Sequence, residues 1–267
     1  MEWLPAYLLL GAAVGFFGGL FGIGGGTVLV PVLLFLFAAQ HFPAAYAMHL
    51  ALGTSMATIV FTALASLHKH HQHGAVDWPV VRRITPGILA GTALGAAFAS
   101  AISARALGLI FAAFVLAAAL QILLDARPRP TRQLPGPAGL TATGVFTGWI
   151  SSLVSIGGGT IVVPFLVWCN VPLRHAIGTS AAIGFPVAAG GTLGYVLAGL
   201  HVAAMPGPHL GYVYLPALLG TALASVLTAP VGARTAHRID VRLLRRLFAL
   251  VLLALAGRLL FKVLSLP

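Results

Sequence analysis

Apolar runs of about twenty residues follow one another along this chain with only short polar stretches between them. They fall near 5–22, 27–39, 45–67, 80–101 and 105–124, then near 138–155, 160–169, 173–199, 210–231 and 241–264. A bilayer core is crossed by about 20 helical residues, so most of these runs are long enough to span, while 27–39 and 160–169 are too short. The polar remainder could not cover a soluble domain. Only 7% of the 267 residues are charged, against roughly a quarter in soluble proteins, and the mean hydropathy is +1.01. The carboxylates are four: Glu2, Asp77, Asp125 and Asp240. Lipid is the solvent that such a surface fits, and spanning segments in lipid must satisfy their own backbone, which predicts an all-α, polytopic membrane protein. The first 22 residues carry no basic n-region or cleavage site and read as a retained span.

The net charge of +11 does not indicate nucleic acid, because the basic residues are scattered among short connections and form no basic face. A single cysteine, Cys169, allows no intrachain disulfide. The run His68-Lys69-His70-His71-Gln72-His73 has only Asp77 nearby and no cysteine, so it reads as a solvated loop rather than a metal site. No cofactor motif is present: the glycine runs lack the preceding strand of a dinucleotide fold and the lysine of a phosphate loop.

The two sets of apolar runs repeat one another. Ile23-Gly24-Gly25-Gly26-Thr27 with Pro31 returns as Ile156-Gly157-Gly158-Gly159-Thr160 with Pro164. Gly53-Thr54-Ser55 returns as Gly178-Thr179-Ser180, and Pro86…Gly91-Thr92 as Pro216…Gly220-Thr221. Three motifs in the same order mark a duplication: repeat 1 over 1–127, a polar, proline-rich connector over 128–137, and repeat 2 over 138–267. Each half reads as a Gly-broken element, re-entrant or paired, followed by three spanning helices. If five segments per half alternate direction, twelve Lys and Arg residues collect on one side and only Arg105, Arg258 and Lys262 on the other. The basic side is then cytoplasmic, both termini are extracytoplasmic, and an odd number of segments makes the second repeat inverted.

Three consecutive glycines break a helix, and each short arm then begins at Thr27 or Thr160. A buried helix N-terminus offers unpaired N–H groups and a partial positive charge, an anion site without a full cation. The candidate substrate-binding residues are Gly24, Gly25, Gly26 and Thr27 with Gly157, Gly158, Gly159 and Thr160. Thr54 and Ser55, with Thr179 and Ser180, lie deep in their spans and could donate hydroxyls across the same cavity, or else bond back to a carbonyl one turn earlier. His49, Arg174 and His175 are candidates for the two mouths, with snorkelling to the interface as the alternative. Gly11/Gly15/Gly19 and Gly87/Gly91/Gly95, at every fourth position, read as helix-packing faces, and such faces could also support a homodimer.

Gly18-Gly19-Leu20-Phe21-Gly22-Ile23-Gly24-Gly25-Gly26 followed by Pro31, then Gly53-Thr54-Ser55 with a degenerate second copy, resembles the TauE/SafE family of sulfite exporters and organosulfur-anion permeases. The resemblance implies a transporter for sulfite or an organosulfonate in the cell (inner) membrane and no enzymatic activity. The second copy departs from the first where Ser151-Ser152-Leu153-Val154-Ser155 replaces Gly18 to Gly22. With all carboxylates at span ends or in loops, an inside-negative potential, about 2.3 kcal/mol per charge per 100 mV, suits anion export better than a carboxylate relay. The alternatives are an anion channel and an intramembrane enzyme acting on lipid phosphates, the latter weakened by the missing carboxylates.

Overall fold

The structure is a computed structural model that describes residues 2–21, 25–124, 130–202, 206–235 and 241–264. Within these residues the chain forms ten α-helices: α1 (Leu4–Phe21), α2 (Gly26–Ala39), α3 (Ala44–Gln72), α4 (Trp78–Ala101), α5 (Ala104–Leu123), α6 (Pro137–Val154), α7 (Gly159–Trp168), α8 (Leu173–Gly199), α9 (Leu215–Thr235) and α10 (Val241–Leu264). Five helical segments are long and apolar enough to cross a membrane: α3, α4, α5, α8 and the Leu215–Gly232 part of α9. Outward-facing leucines such as Leu219, Leu223 and Leu227 on α9 give the molecule its lipid-facing surface.

Helix ends follow local chemistry. Asp77 accepts from the Val80 N–H (3.4 Å) to start α4, and the Ser103 hydroxyl accepts from the Ala106 N–H (3.2 Å) to start α5. The two short arms end alike. His41 and Asn170 take left-handed backbone (φ 58° and 61°), and the next amides reach back, Phe42 N–H to Phe37 O and Val171 N–H to Leu166 O, both 3.0 Å. Pro43 and Pro172 then open the long helices α3 and α8. The expected helical run from 210 begins instead at Leu215. A two-stranded hairpin, β1 (His209–Leu210) and β2 (Val213–Tyr214), precedes it. Its turn passes through Gly211 at φ 56°, a conformation that glycine adopts without strain.

Glycines set the closest helix pairs. A methyl on Gly87 or Gly91 would strike the backbone of Thr141 or Val145 in α6, and one on Gly144 or Gly148 the backbone of Ile84 or Ile88 in α4. On the other side of the molecule Gly11 and Gly15 of α1 rest on the backbone of Thr221 and Ser225 in α9. Of the packing faces expected at Gly11/Gly15/Gly19 and Gly87/Gly91/Gly95, Gly11, Gly15, Gly87, Gly91 and Gly95 are covered within the chain. Helices α3 and α8 form an antiparallel central pair, with Gly53 against Tyr195, Gly191 against Met56 and Gly184 against Ala63. Helix α5 packs on α10.

Both ends of the α1–α2 hairpin lie together, since the Gln40 side-chain amide donates to the Tyr7 hydroxyl at 2.6 Å. Both ends of α6–α7 also lie together: the Thr131 and Arg132 N–H groups donate to the Trp168 carbonyl at 3.2 and 3.1 Å. Because α2 leads into α3 and α7 into α8, and α3 and α8 are antiparallel, the two hairpins open at opposite ends of the central pair. We expect Gly91→Leu to force α4 from α6 and cost about 1–3 kcal/mol or more, as overpacking does, read as a lowered melting temperature in detergent; Leu223→Ala on the lipid face should melt nearly as wild type.

Candidate functional site

The glycine breaks end at two uncapped helix N-termini. Gly25 precedes α2 and Gly158 precedes α7, and neither helix has a side-chain cap. Gly26, Thr27, Gly157 and Gly158 are buried, and Gly159 and Thr160 partly so; Gly24 lies outside the described residues. The first N–H groups of such helices have no partner inside the helix. Helix α7 is four residues shorter than α2 (10 against 14). The step from Pro172 to Gly178 is also four shorter than that from Pro43 to Gly53, six against ten. One helical turn is thus removed from each arm in step, so the second break keeps its depth relative to Ser180 as the first does relative to Ser55.

The two ends meet near the middle of the central pair. A methyl on Gly26 would touch Ile59 Cδ1 at 3.3 Å, and one on Gly158 would touch Ile183 Cγ2 at 3.3 Å. Since Ala63 faces Gly184, Ile59 and Ile183 lie within about two turns of one another along the pair, roughly 5–10 Å. Ser55 belongs to the first end. It bonds the Ser155 hydroxyl at 2.8 Å, and the Ser155 carbonyl abuts Gly26. Ser180 belongs to the second, its Oγ 3.5 Å from where a Gly158 Cβ would stand.

The threonines do something that sequence spacing did not suggest. Thr54 Oγ1 accepts the N–H of Tyr214 at 3.0 Å, and Thr179 Oγ1 accepts the N–H of Asp77 at 2.9 Å. Beside them, Gly53 lets the Tyr212 carbonyl against α3 and Gly178 lets the Ala75 carbonyl against α8. Each Gly-Thr pair therefore latches the connecting segment of the other half, 206–214 or 73–77, against its helix. Thr54 and Thr179 lie about fourteen positions apart along the antiparallel pair, roughly 20 Å, so they do not face one another across one cavity as expected. The back-bond to a carbonyl one turn earlier occurs at Thr58 instead, which donates to Thr54 O at 2.9 Å.

His49 sits under the 209–214 hairpin rather than at an open mouth. It is 4% exposed, its Nε2 is 2.9 Å from the Ala99 carbonyl, and its ring stacks on Tyr212 at 5.1 Å. Arg174 and His175 are exposed, and Arg174 donates to the His73 carbonyl at 2.7 Å, on the second latched segment. Four buried groups escaped the sequence reading: Thr147, Ser151, Ser155 and Tyr195, the last donating to Ser152 O at 2.9 Å. Ser155 carried a signal. It stands where repeat 1 has Gly22, and it takes left-handed backbone (φ 47°), a conformation that favours glycine. Among the described residues the buried polar side chains are hydroxyls and His49, with no buried Asp, Glu, Lys or Arg. No group of three metal-ligating side chains stands together among them.

The two breaks thus bring together helix ends without a side-chain cap, buried hydroxyls and, among the described residues, no buried Asp, Glu, Lys or Arg. Residues 7–259 match the Sulfite exporter TauE/SafE family. The chain belongs to the TauE/SafE family. A probable membrane transporter protein of Haemophilus influenzae is 36% identical over 253 residues, covering 93% of this chain and 95% of its own length. Probable membrane transporter proteins of Methanocaldococcus jannaschii (26% identical, 93% and 92% covered) and Bacillus subtilis (YunE; 24%, 91% and 94%) are further relatives. No solved structure matches the chain. By family and by the names of these relatives, the chain is a membrane transporter. Thr54→Val keeps the threonine's shape but strands the Tyr214 N–H, at a cost of about 1–3 kcal/mol. Amide exchange at Tyr214 should quicken while exchange at Asp77 is unchanged, and Thr179→Val should do the reverse.

Proposed function

We propose that this protein exports a small sulfur-containing anion, sulfite or an organosulfonate, through a site at the interface of two inverted repeats, driven by the inside-negative potential. The observation that carries this reading is the pair of uncapped, buried helix ends. They approach the middle of the α3–α8 pair from hairpins that open at opposite ends of it. Two half-charges of the same sign aimed at one region would hold an anion and repel cations. The family name supplies the sulfur; the geometry supports the anion.

The repeats take the boundaries 1–127 and 138–267, joined by the 128–137 connector. Exchanging the halves maps the packing onto itself: α1 on α9 answers α6 on α4, α2 on α3 answers α7 on α8, and α3 on α8 and α5 on α10 map to themselves. The latches obey the same exchange. Lys69, Arg82, Arg83, Arg132 and Arg174 gather at the end where α6–α7 opens, Arg105 and Arg258 at the other. By the positive-inside rule the first end is cytoplasmic and the termini are extracytoplasmic, with the protein in the cell inner membrane. The binding groups are the glycines and threonines of the two breaks, Gly24–Thr27 and Gly157–Thr160, with Ser55 and Ser180; Thr54 and Thr179 contribute through the latches. With no buried carboxylate among the described residues, charge movement down the potential needs no relay.

Flux of sulfite or methanesulfonate from liposomes tests this reading. It should rise with an imposed potential of the correct sign and stay below roughly a thousand ions per second, since conformational cycling takes microseconds to milliseconds; a far higher rate makes the protein a channel. Gly158→Leu should insert and abolish flux, because its side chain would enter the space between α7 and Ser180. Gly25→Leu would also strike Val14, so it needs Val14→Ala beside it to stay folded. Normal flux in both variants removes the helix ends from the site. Separately, a cysteine at Glu2 should label from outside the cell and one at Thr131 should not; the opposite pattern reverses the orientation.

A further inference from the structure

The duplicated halves are not chemically equal at their helix ends. In the first half Val14 packs its Cγ1 on Gly25, and a methyl on Gly18 would stand 3.6 Å from the Gly25 nitrogen. Those two positions line the back of the α2 N-terminus and carry nothing polar. The alignment that sets Ile156 on Ile23 sets Thr147 on Val14 and Ser151 on Gly18. Both are 0% exposed, and neither hydroxyl has a partner. Ser151 lies in the last turn of α6 before the break, its carbonyl accepting from the Ile156 N–H at 3.4 Å.

A third hydroxyl repeats the contrast. Ser55 at the first end is satisfied by Ser155, whereas its counterpart Ser180 is 2% exposed, unpartnered, and directed at Gly158. Among the described residues the first half keeps one buried unpartnered hydroxyl, Thr27, and the second half has three, on α6 and α8. Buried hydroxyls are rarely left without partners. Ser180 stands beside the uncapped α7 N-terminus, Thr147 and Ser151 lie on α6 at the positions aligned with those behind the α2 end, and the oxygens of an anion are a natural partner for such donors.

We propose that the anion of the transport reading above rests at the α7 end, held by the N–H groups of that helix and the hydroxyls of Thr147, Ser151 and Ser180, and that the site takes singly charged oxyanions in preference to doubly charged ones. The charge preference follows from the balance of the site. Each helix end supplies about half a unit of positive charge, and no cation is buried among the described residues. One negative charge is met by the two ends together; a second would be buried without compensation. The inference rests on the broken-helix reading and adds to it which end binds and what charge it accepts.

Calorimetric titration of the purified full chain in detergent tests both parts, with methanesulfonate as the singly charged probe and sulfate as the doubly charged one. Methanesulfonate should bind at least about tenfold more tightly than sulfate. Thr147→Val, Ser151→Ala and Ser180→Ala should each weaken methanesulfonate by about tenfold, the worth of one charge-assisted hydrogen bond, and by more than Ser55→Ala does. Thr147→Val is nearly isosteric and guards against misfolding, with the melting temperature of each variant as the control. If Ser55→Ala loses binding while the three second-half variants keep wild-type affinity, the site lies at the first end and this inference falls, though the broken-helix reading survives. Equal affinity for sulfate overturns the charge preference alone. If the wild-type chain binds neither probe, the transport reading falls with it.

Discussion

Backbone that leaves the helix inside a bilayer must be covered, and that requirement organises this molecule. Two breaks at Gly25 and Gly158 expose N–H groups at a depth where water and lipid cannot serve them equally. The cover is provided by close approach. Helices α4 and α6 touch through Gly87, Gly91, Gly144 and Gly148, and α1 and α9 through Gly11 and Gly15, so each broken helix is held flush against a long one from the other half. With these pairs in place the short arms α2 and α7 are pressed onto α3 and α8, and their first turns stop where Ile59 and Ile183 stand. Larger residues at the glycines would part the helices and leave the breaks open.

The same device recurs at the two ends of the central pair, with a different purpose. A Gly-Thr dipeptide admits a foreign carbonyl over the glycine and takes a foreign N–H on the threonine hydroxyl, at Tyr212 and Tyr214 on one side and Ala75 and Asp77 on the other. Both latches are made in the structure, so both connecting segments lie docked. A hydroxyl–amide bond contributes only about a kilocalorie net, which is weak enough to break and reform on the timescale of a transport cycle. His49 stacked beneath Tyr212 and Arg174 holding the His73 carbonyl add a contact to each latch, and these contacts are not the same kind. The 206–214 and 73–77 segments are thus held by equal threonines and unequal neighbours.

Helix positions and the breaks were legible because they rest on local chemistry: apolar runs, triple glycines and proline starts. The hairpin at 209–214 was not, because its strands are two residues each and His209 to Tyr214 runs into an apolar stretch that continues as α9. The role of Thr54 and Thr179 was also hidden. Spacing showed that they lie deep in long helices, but the groups they bond come from 102 and 160 positions away, and nothing local marks an amide donor on a distant loop. The glycine before each threonine was the missed clue. A conserved spacing of glycine and hydroxyl inside one chain reads as a binding pair for a ligand, and it reads equally as a socket for backbone.

Serine in place of glycine in the second half shows why degenerate repeats are informative. At Gly18 the first half uses a residue that contributes space alone. At Ser151 and Ser155 the second half spends that space on hydroxyls, and Ser155 does so in left-handed backbone that costs a serine about a kilocalorie and a glycine nothing. Part of that cost is offset by its bond to Ser55 across the repeat boundary. The bond satisfies the first end from the second half and leaves Ser180, Ser151 and Thr147 without protein partners. A strictly symmetric molecule would hold an anion equally at two places roughly 5–10 Å apart. Pairing Ser55 internally would weaken that degeneracy, and under the reading proposed above a single anion would meet the open donors of one end while the opposite helix end contributes its field.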